Sequence, residues 1–311
     1  MIPIRDNLSC KSPAHATRAL IVLNIIAFVI SAFVPESMSD WFFQTFCVVP
    51  AQISDAFTSF NLPAMGMAVL SILTAMFLHG GLAHIFGNMI FLNAFGKSVE
   101  NRLGPARFVA FYVLGGFAAW SFHFMIDPWS TTPALGASGS IAAVLGMYLL
   151  FYPKAEFLTF IMAGPYPVLV NIRAYWFLVV WFISQIVPGL DELFKPTVGG
   201  GIAYWAHIGG FAAGLSLAAY WQMVSPNSEV CYSPFACKCG HSDCYKNGFS
   251  LRHLLGSRNE NSSCEHGCDV SEAEVQADLQ HGRCNGDNHA PSCCQHTTSS
   301  GGGVKPNDET K

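Results

Sequence analysis

From residue 18 to residue 223 this chain repeats one pattern: an apolar run about as long as a bilayer is thick, closed by a short polar cluster. A helix rises 1.5 Å per residue, so crossing roughly 30 Å of hydrocarbon takes about 20 apolar residues. Runs of this kind predict six helices, at about 18–35, 82–101, 107–126, 138–152, 174–190 and 202–223. The apolar stretch from Ala64 to Phe95 is too long for one straight span, and Gly80-Gly81 is its natural break. Met65–Leu78 therefore reads as an interfacial helix ending a long loop, whose Trp41, Phe42, Phe43 and Phe46 suit the headgroup region. The fold class expected is an all-α membrane protein, a bundle of six transmembrane helices in residues 1–225, followed by a largely disordered cytoplasmic C-terminal tail in 226–311.

Charge sets the orientation. Charged residues make up 12% of the chain, against about a quarter in soluble domains. Arg5, Lys11 and Arg18 precede the first run, Lys97, Arg102 and Arg107 surround the second connection, and Lys154 and Arg173 lie in the fourth. Lys195 alone falls in the opposite set of connections, and under the positive-inside rule both termini are cytoplasmic. The first run is longer than the apolar region of a cleavable signal and lacks a small-residue cleavage site. A net charge of −4 gives no reason to expect nucleic acid as a partner.

Four polar groups then stand out against the apolar background. The runs beginning at Leu82, Ser138 and Ile202 all start on the external side, which puts His84, Asn88, Ser138 and His207 at one shallow depth. A serine ahead of an apolar helix is favoured as an N-cap alone. An ionisable histidine inside a span is costly, and marks a functional site with a partner to be named. Gly210 and Gly214 lie on the same helical stripe as His207, in a spacing that lets helix backbones touch, and Gly139 supplies matching bare surface beside Ser138. Close approach would bring the Ser138 hydroxyl to the His207 ring, the arrangement of a nucleophile and its general base. His84 and Asn88, four residues apart on one face, can both donate to an oxyanion, as can the Ser138 amide at a helix N-terminus. His79 precedes the Gly-Gly break and reads as a loop anchor. The spans carry no H-E-x-x-H motif and, away from their ends, no acidic residue, which argues against a catalytic metal and leaves the base without a carboxylate: a dyad.

The ordered set His79…His84…Asn88, Glu100-Asn-Arg-Leu-Gly104, Gly136-Ala-Ser-Gly139 and Ala206-His-Ile-Gly-Gly210 resembles the rhomboid intramembrane serine proteases, from Ile2-Pro-Ile-Arg-Asp6 to Tyr220. The resemblance implies a six-helix core in which Ser138 attacks, His207 is the base, and His84, Asn88 and the Ser138 amide hold the oxyanion. It implies serine endopeptidase activity on single-pass transmembrane helices near their external ends, in contact with membrane lipid and without a cofactor. Some rhomboids carry a Trp-Arg pair in the first external loop, where this chain has Trp41-Phe42; others place a tyrosine one turn after the serine, where this chain has Ala142. The fifth helix, with Pro188-Gly189 at its end, is a candidate lateral gate. The opening Met1-Ile-Pro-Ile-Arg-Asp6 looks like bacterial members, which points to a plasma (inner) membrane.

Two other readings compete. A catalytically weak rhomboid-like protein that binds membrane helices is expected to lack Ser138 or His207, and both are present. A small transporter predicts repeats and a polar path at the midplane. In the tail, nine of eleven cysteines follow Ser225. Cys237, Cys239, Cys244, Cys264 and Cys268 form no regular C-x₂-C pair, so disorder is favoured over a metal module, and Cys231 is an acylation candidate.

Overall fold

A computed structural model of the chain describes residues 1–8, 13–194 and 201–224. Their order is β1 (Ile2–Asp6), α1 (His15–Ala32), α2 (Glu36–Phe46), α3 (Pro50–Thr58), α4 (Leu62–Ala75), α5 (Leu82–Leu103), α6 (Pro105–Ile126), α7 (Ser138–Phe151), β2 (Glu156–Ala163), β3 (Tyr166–Arg173), α8 (Ala174–Phe194) and α9 (Tyr204–Val224). Each of the six expected helices is present. Three of them, α1, α6 and α8, are long and apolar enough to cross a membrane by themselves. The tail cysteines and Lys195 lie outside the described residues.

The core is built around α7. Eleven of its 14 residues are buried, and a helix apolar on every side belongs inside a bundle. Against α9 it is hemmed in by backbone. A methyl group at Gly210 would run into the Gly139 carbonyl oxygen, one at Gly214 into the Ala143 carbonyl, and one at Gly146 into the Phe211 carbonyl. The first two pairs advance together by four residues along each helix, so α7 and α9 run parallel at closest contact. On the other flank Ala119 meets Gly139 and Gly115 meets Ala143, the antiparallel order, which places α6 against the same helix. In lipid, such close packing supplies the dispersion contact that draws helices together.

At the end of α7 remote from Ser138 the chain departs from the all-helical expectation. β1, β2 and β3 form an antiparallel sheet in that order, with Asp6 opposite Phe157 and a full β2–β3 register from Glu156↔Arg173 to Ala163↔Tyr166. The sheet is fastened to the helices by Phe157, which is fully buried with its ring 4.3 Å from that of Phe95 and 5.3 Å from that of Tyr148. β1 is held by Asp6, whose Oδ2 accepts hydrogen bonds from the Ser98 hydroxyl at 2.6 Å and the Tyr148 hydroxyl at 2.9 Å. Burial pushes the Asp6 carboxyl above its ordinary range, and the two hydroxyl donors partly offset that.

The Glu100-Asn-Arg-Leu-Gly104 motif turns out to be architectural. The Glu100 carboxylate accepts from the amides of Ala16 and Thr17 at 2.9 and 2.7 Å and from the Thr17 hydroxyl at 2.7 Å, capping α1 from a distance. Arg102 lies 4.0 Å above the Phe151 ring. Gly104, at φ +82°, makes the turn between α5 and α6 that a side chain would resist.

At the Ser138 end, α2, α3 and α4 brace the segment that delivers the serine. Val48 and Ala134 exchange backbone hydrogen bonds at 2.9 and 2.8 Å, Ser54 donates to the Pro128 carbonyl at 2.6 Å, and the Gly136 amide donates to Ala75 at 2.8 Å. The loop expected to follow the first span is therefore helical, and the interfacial helix expected over Met65–Leu78 is α4. Trp41, Phe60 and Leu62 remain exposed on it, as an element resting at a membrane surface requires.

Candidate active site

Three helix N-termini meet at one place. Ser138 is the first residue of α7, with Ala137 in the cap position, so its hydroxyl is not committed to capping. His207 lies one turn into α9 and is buried, and its Nε2 is 2.7 Å from Ser138 Oγ. The backbone contact between Gly139 and Gly210 sets this distance, since a side chain at Gly210 would run into the Gly139 carbonyl and hold α7 and α9 apart.

His207 has a second partner that the sequence reading lacks. Its Nδ1 is 2.8 Å from Oε1 of Gln185, a buried residue of α8. One turn earlier on α8, the Trp181 ring stands 6.1 Å from the imidazole, tilted by 34°. The tyrosine absent at Ala142 is thus answered by an aromatic ring from another helix. With Ser184, Gln185 is a polar interruption of an otherwise apolar span, and that interruption is the signal that could have drawn attention to it. The expectation that Pro188-Gly189 ends the helix is not met: α8 continues to Phe194. Gly189 packs against α9, where a methyl group would stand 3.3 Å from Tyr204 Cβ and 3.4 Å from Ile208.

On the other side of Ser138 lies α5. A methyl group at Gly136 would be 2.9 Å from His84 Nε2 and 3.5 Å from Ser138 Oγ, so the glycine keeps open a space that both residues border. The Gly80 amide donates to His84 Nδ1 in a long 3.4 Å bond, which leaves Nε2–H as the donor facing that space. Asn88 is buried on the same helix, and its Nδ2 has no partner. A buried donor without an acceptor calls for an explanation, and a transient anion supplies one. His79 is buried with its ring centroid 5.0 Å from that of His84 and its Nδ1 3.3 Å from the Phe77 carbonyl. It supports His84 from behind and does not reach Ser138.

A family model described as Rhomboid domain matches residues 67–223, half of the chain. The chain belongs to the rhomboid family. Among related proteins, this rhomboid is 24% identical over 218 residues to Rhomboid-like protease 3 of Toxoplasma gondii, an alignment covering 68% of this chain and 70% of that protein. It is 32% identical over 113 residues to RHOMBOID-like protein 12, mitochondrial, of Arabidopsis thaliana, covering 30% of this chain and 33% of the relative. It is 36% identical over 78 residues to Rhomboid protease GluP of Bacillus subtilis, covering 25% of this chain and 15% of the relative. The chain therefore spans about a third or less of the length of several relatives it matches. As a rhomboid with apolar helices of spanning length it is an integral membrane protein.

Proposed function

We propose that this rhomboid is an intramembrane serine endopeptidase that cuts single-pass transmembrane helices near their external ends. The observation that carries the reading is the 2.7 Å approach of Ser138 Oγ to His207 Nε2, beside a space bordered by uncommitted donors. In the proposed reaction, His207 Nε2 takes the hydroxyl proton as Ser138 Oγ bonds to the scissile carbonyl carbon. The oxyanion that forms is met by His84 Nε2–H, Asn88 Nδ2–H and the Ser138 amide, with the positive end of the α7 dipole behind them. The imidazolium then passes its proton to the departing amine, leaving an acyl-serine. Water, activated by the same Nε2, hydrolyses that ester and frees Ser138.

The proposed setting is a plasma (inner) membrane crossed six times, by α1, α5, α6, α7, α8 and α9, with both termini cytoplasmic. Helices that face protein can be shorter or more polar than those that face lipid, which accounts for α5, α7 and α9. Substrate peptide bonds hidden in a helix must unwind to be cut, so helix-weakening residues favour cleavage.

The test is cleavage of a single-span reporter in proteoliposomes by the wild type, Ser138→Ala and His207→Ala. Both substitutions are expected to reduce cleavage to background. Cleavage that persists in Ser138→Ala overturns the serine mechanism.

A further inference from the structure

We infer that Gln185 is the positioning residue of the base: it holds His207 as the Nδ1–H tautomer, so that Nε2 is the lone pair facing Ser138. The inference rests on the proposed protease reading and extends it to α8.

The hydrogen-bond directions leave one consistent assignment. The Trp181 carbonyl can only accept, and it receives the Ser184 hydroxyl at 2.6 Å and the Gln185 side-chain amide at 3.2 Å. With its proton committed there, Ser184 Oγ accepts the other Gln185 N–H at 2.9 Å. Both amide hydrogens of Gln185 are therefore used on its own helix, and turning the amide over would set its oxygen against the Trp181 carbonyl oxygen. Oε1 is left to face His207 Nδ1 at 2.8 Å, and an oxygen there demands Nδ1–H. A neutral imidazole with Nδ1–H carries its lone pair on Nε2, and Ser138 Oγ at 2.7 Å then donates to it.

The chemistry explains why the group is an amide. In soluble triads a carboxylate selects the tautomer and orients the ring. A carboxylate held in a span pays heavily for desolvation, whereas an amide oxygen gives the same directional acceptor without charge. Trp181 and Gln185, four apart on one face of α8, thus steady the ring plane and its tautomer together.

The experiment compares the wild type with Gln185→Met, which keeps length and bulk but has no oxygen acceptor, and Gln185→Glu, which offers an oxygen whether ionised or protonated. Ile183→Met, on the exposed face of α8, is the control for bulk. Each is assayed for kcat and KM on the reporter helix, for the rate at which a fluorophosphonate probe labels Ser138, and for Tm in detergent. The expected result is a drop of about 10²-fold in kcat and labelling for Gln185→Met with KM and Tm held. That is less than the about 10⁴-fold lost when a soluble triad holds the wrong tautomer, because Ser138 and Trp181 still constrain the ring. Gln185→Glu recovers most of the loss, and Ile183→Met matches the wild type. Labelling of Gln185→Met at the wild-type rate overturns the inference. So does equal loss in Met and Glu variants with lowered Tm, which would make Gln185 a packing residue. A wild type that neither cleaves nor labels at Ser138 overturns the protease reading itself, and the two failures are thereby told apart.

Discussion

A single methyl group decides whether Ser138 and His207 can touch. At Gly210 it would collide with the Gly139 carbonyl oxygen, so Gly210→Ala must push α9 away from α7. Overpacking of this kind costs about 1–3 kcal/mol, while a hydrogen bond weakens steeply once its atoms separate beyond about 3.2 Å. Gly210→Ala is therefore expected to lower Tm modestly and cleavage severely, measured side by side on purified protein. Full activity in a destabilised Gly210→Ala would show that the seam does not set the catalytic distance. Ser138, His207 and the glycines could be read from the sequence because polar or bare residues inside apolar runs are rare and each has a physical reason to be there. Gln185 and Trp181 could not be assigned so. An aromatic residue is ordinary in a span, a neutral amide costs less than a charge, and nothing local says that either faces a histidine in the next helix.

The helices follow from run length, and their ends fall within a few residues of the expected ones because hydrocarbon thickness fixes the scale. The sheet did not follow, although Phe157–Ala163, Gly164-Pro165 and Tyr166–Arg173 form an ordinary strand–turn–strand signal; a loop counted only for its charges hides it. The sheet converts Met1-Ile-Pro-Ile-Arg-Asp6 from an extended tail into a strand, with Asp6 as its fastening. Because burial raises the Asp6 pKa, the folded state prefers the neutral acid. The stability Asp6 contributes is present at low pH and lost as pH rises through its folded pKa. Asp6→Asn keeps an acceptor for Ser98 and Tyr148 but cannot ionise. The difference in Tm between wild type and Asp6→Asn is accordingly expected to move in favour of Asn as pH rises above the usual carboxylate pKa of about 3.9. A difference that stays flat across pH would mean that Asp6 ionises freely in the fold.

For the whole molecule, the proposed orientation puts the serine and the sheet on opposite sides of the bilayer. Trp129, exposed in the connection leading to Ser138, and Tyr166, exposed at the hairpin, report the two sides. In intact cells an impermeant maleimide is expected to label Trp129→Cys and leave Tyr166→Cys and the wild type unlabelled, while permeabilised cells label all three. Labelling of Tyr166→Cys from outside would invert the topology.

The same view of the whole gives α8 a double position. Its outward face presents Trp176, Val180, Ile183, Val187 and Leu190 to the surroundings, while Trp181 and Gln185 reach His207 from its inner face. A soluble protease shields the group that orients its histidine behind layers of protein. In the proposed protease one helix width would separate it from lipid, so bilayer thickness and lateral pressure would act on His207 through a single helix, making the membrane part of the tuning of the base.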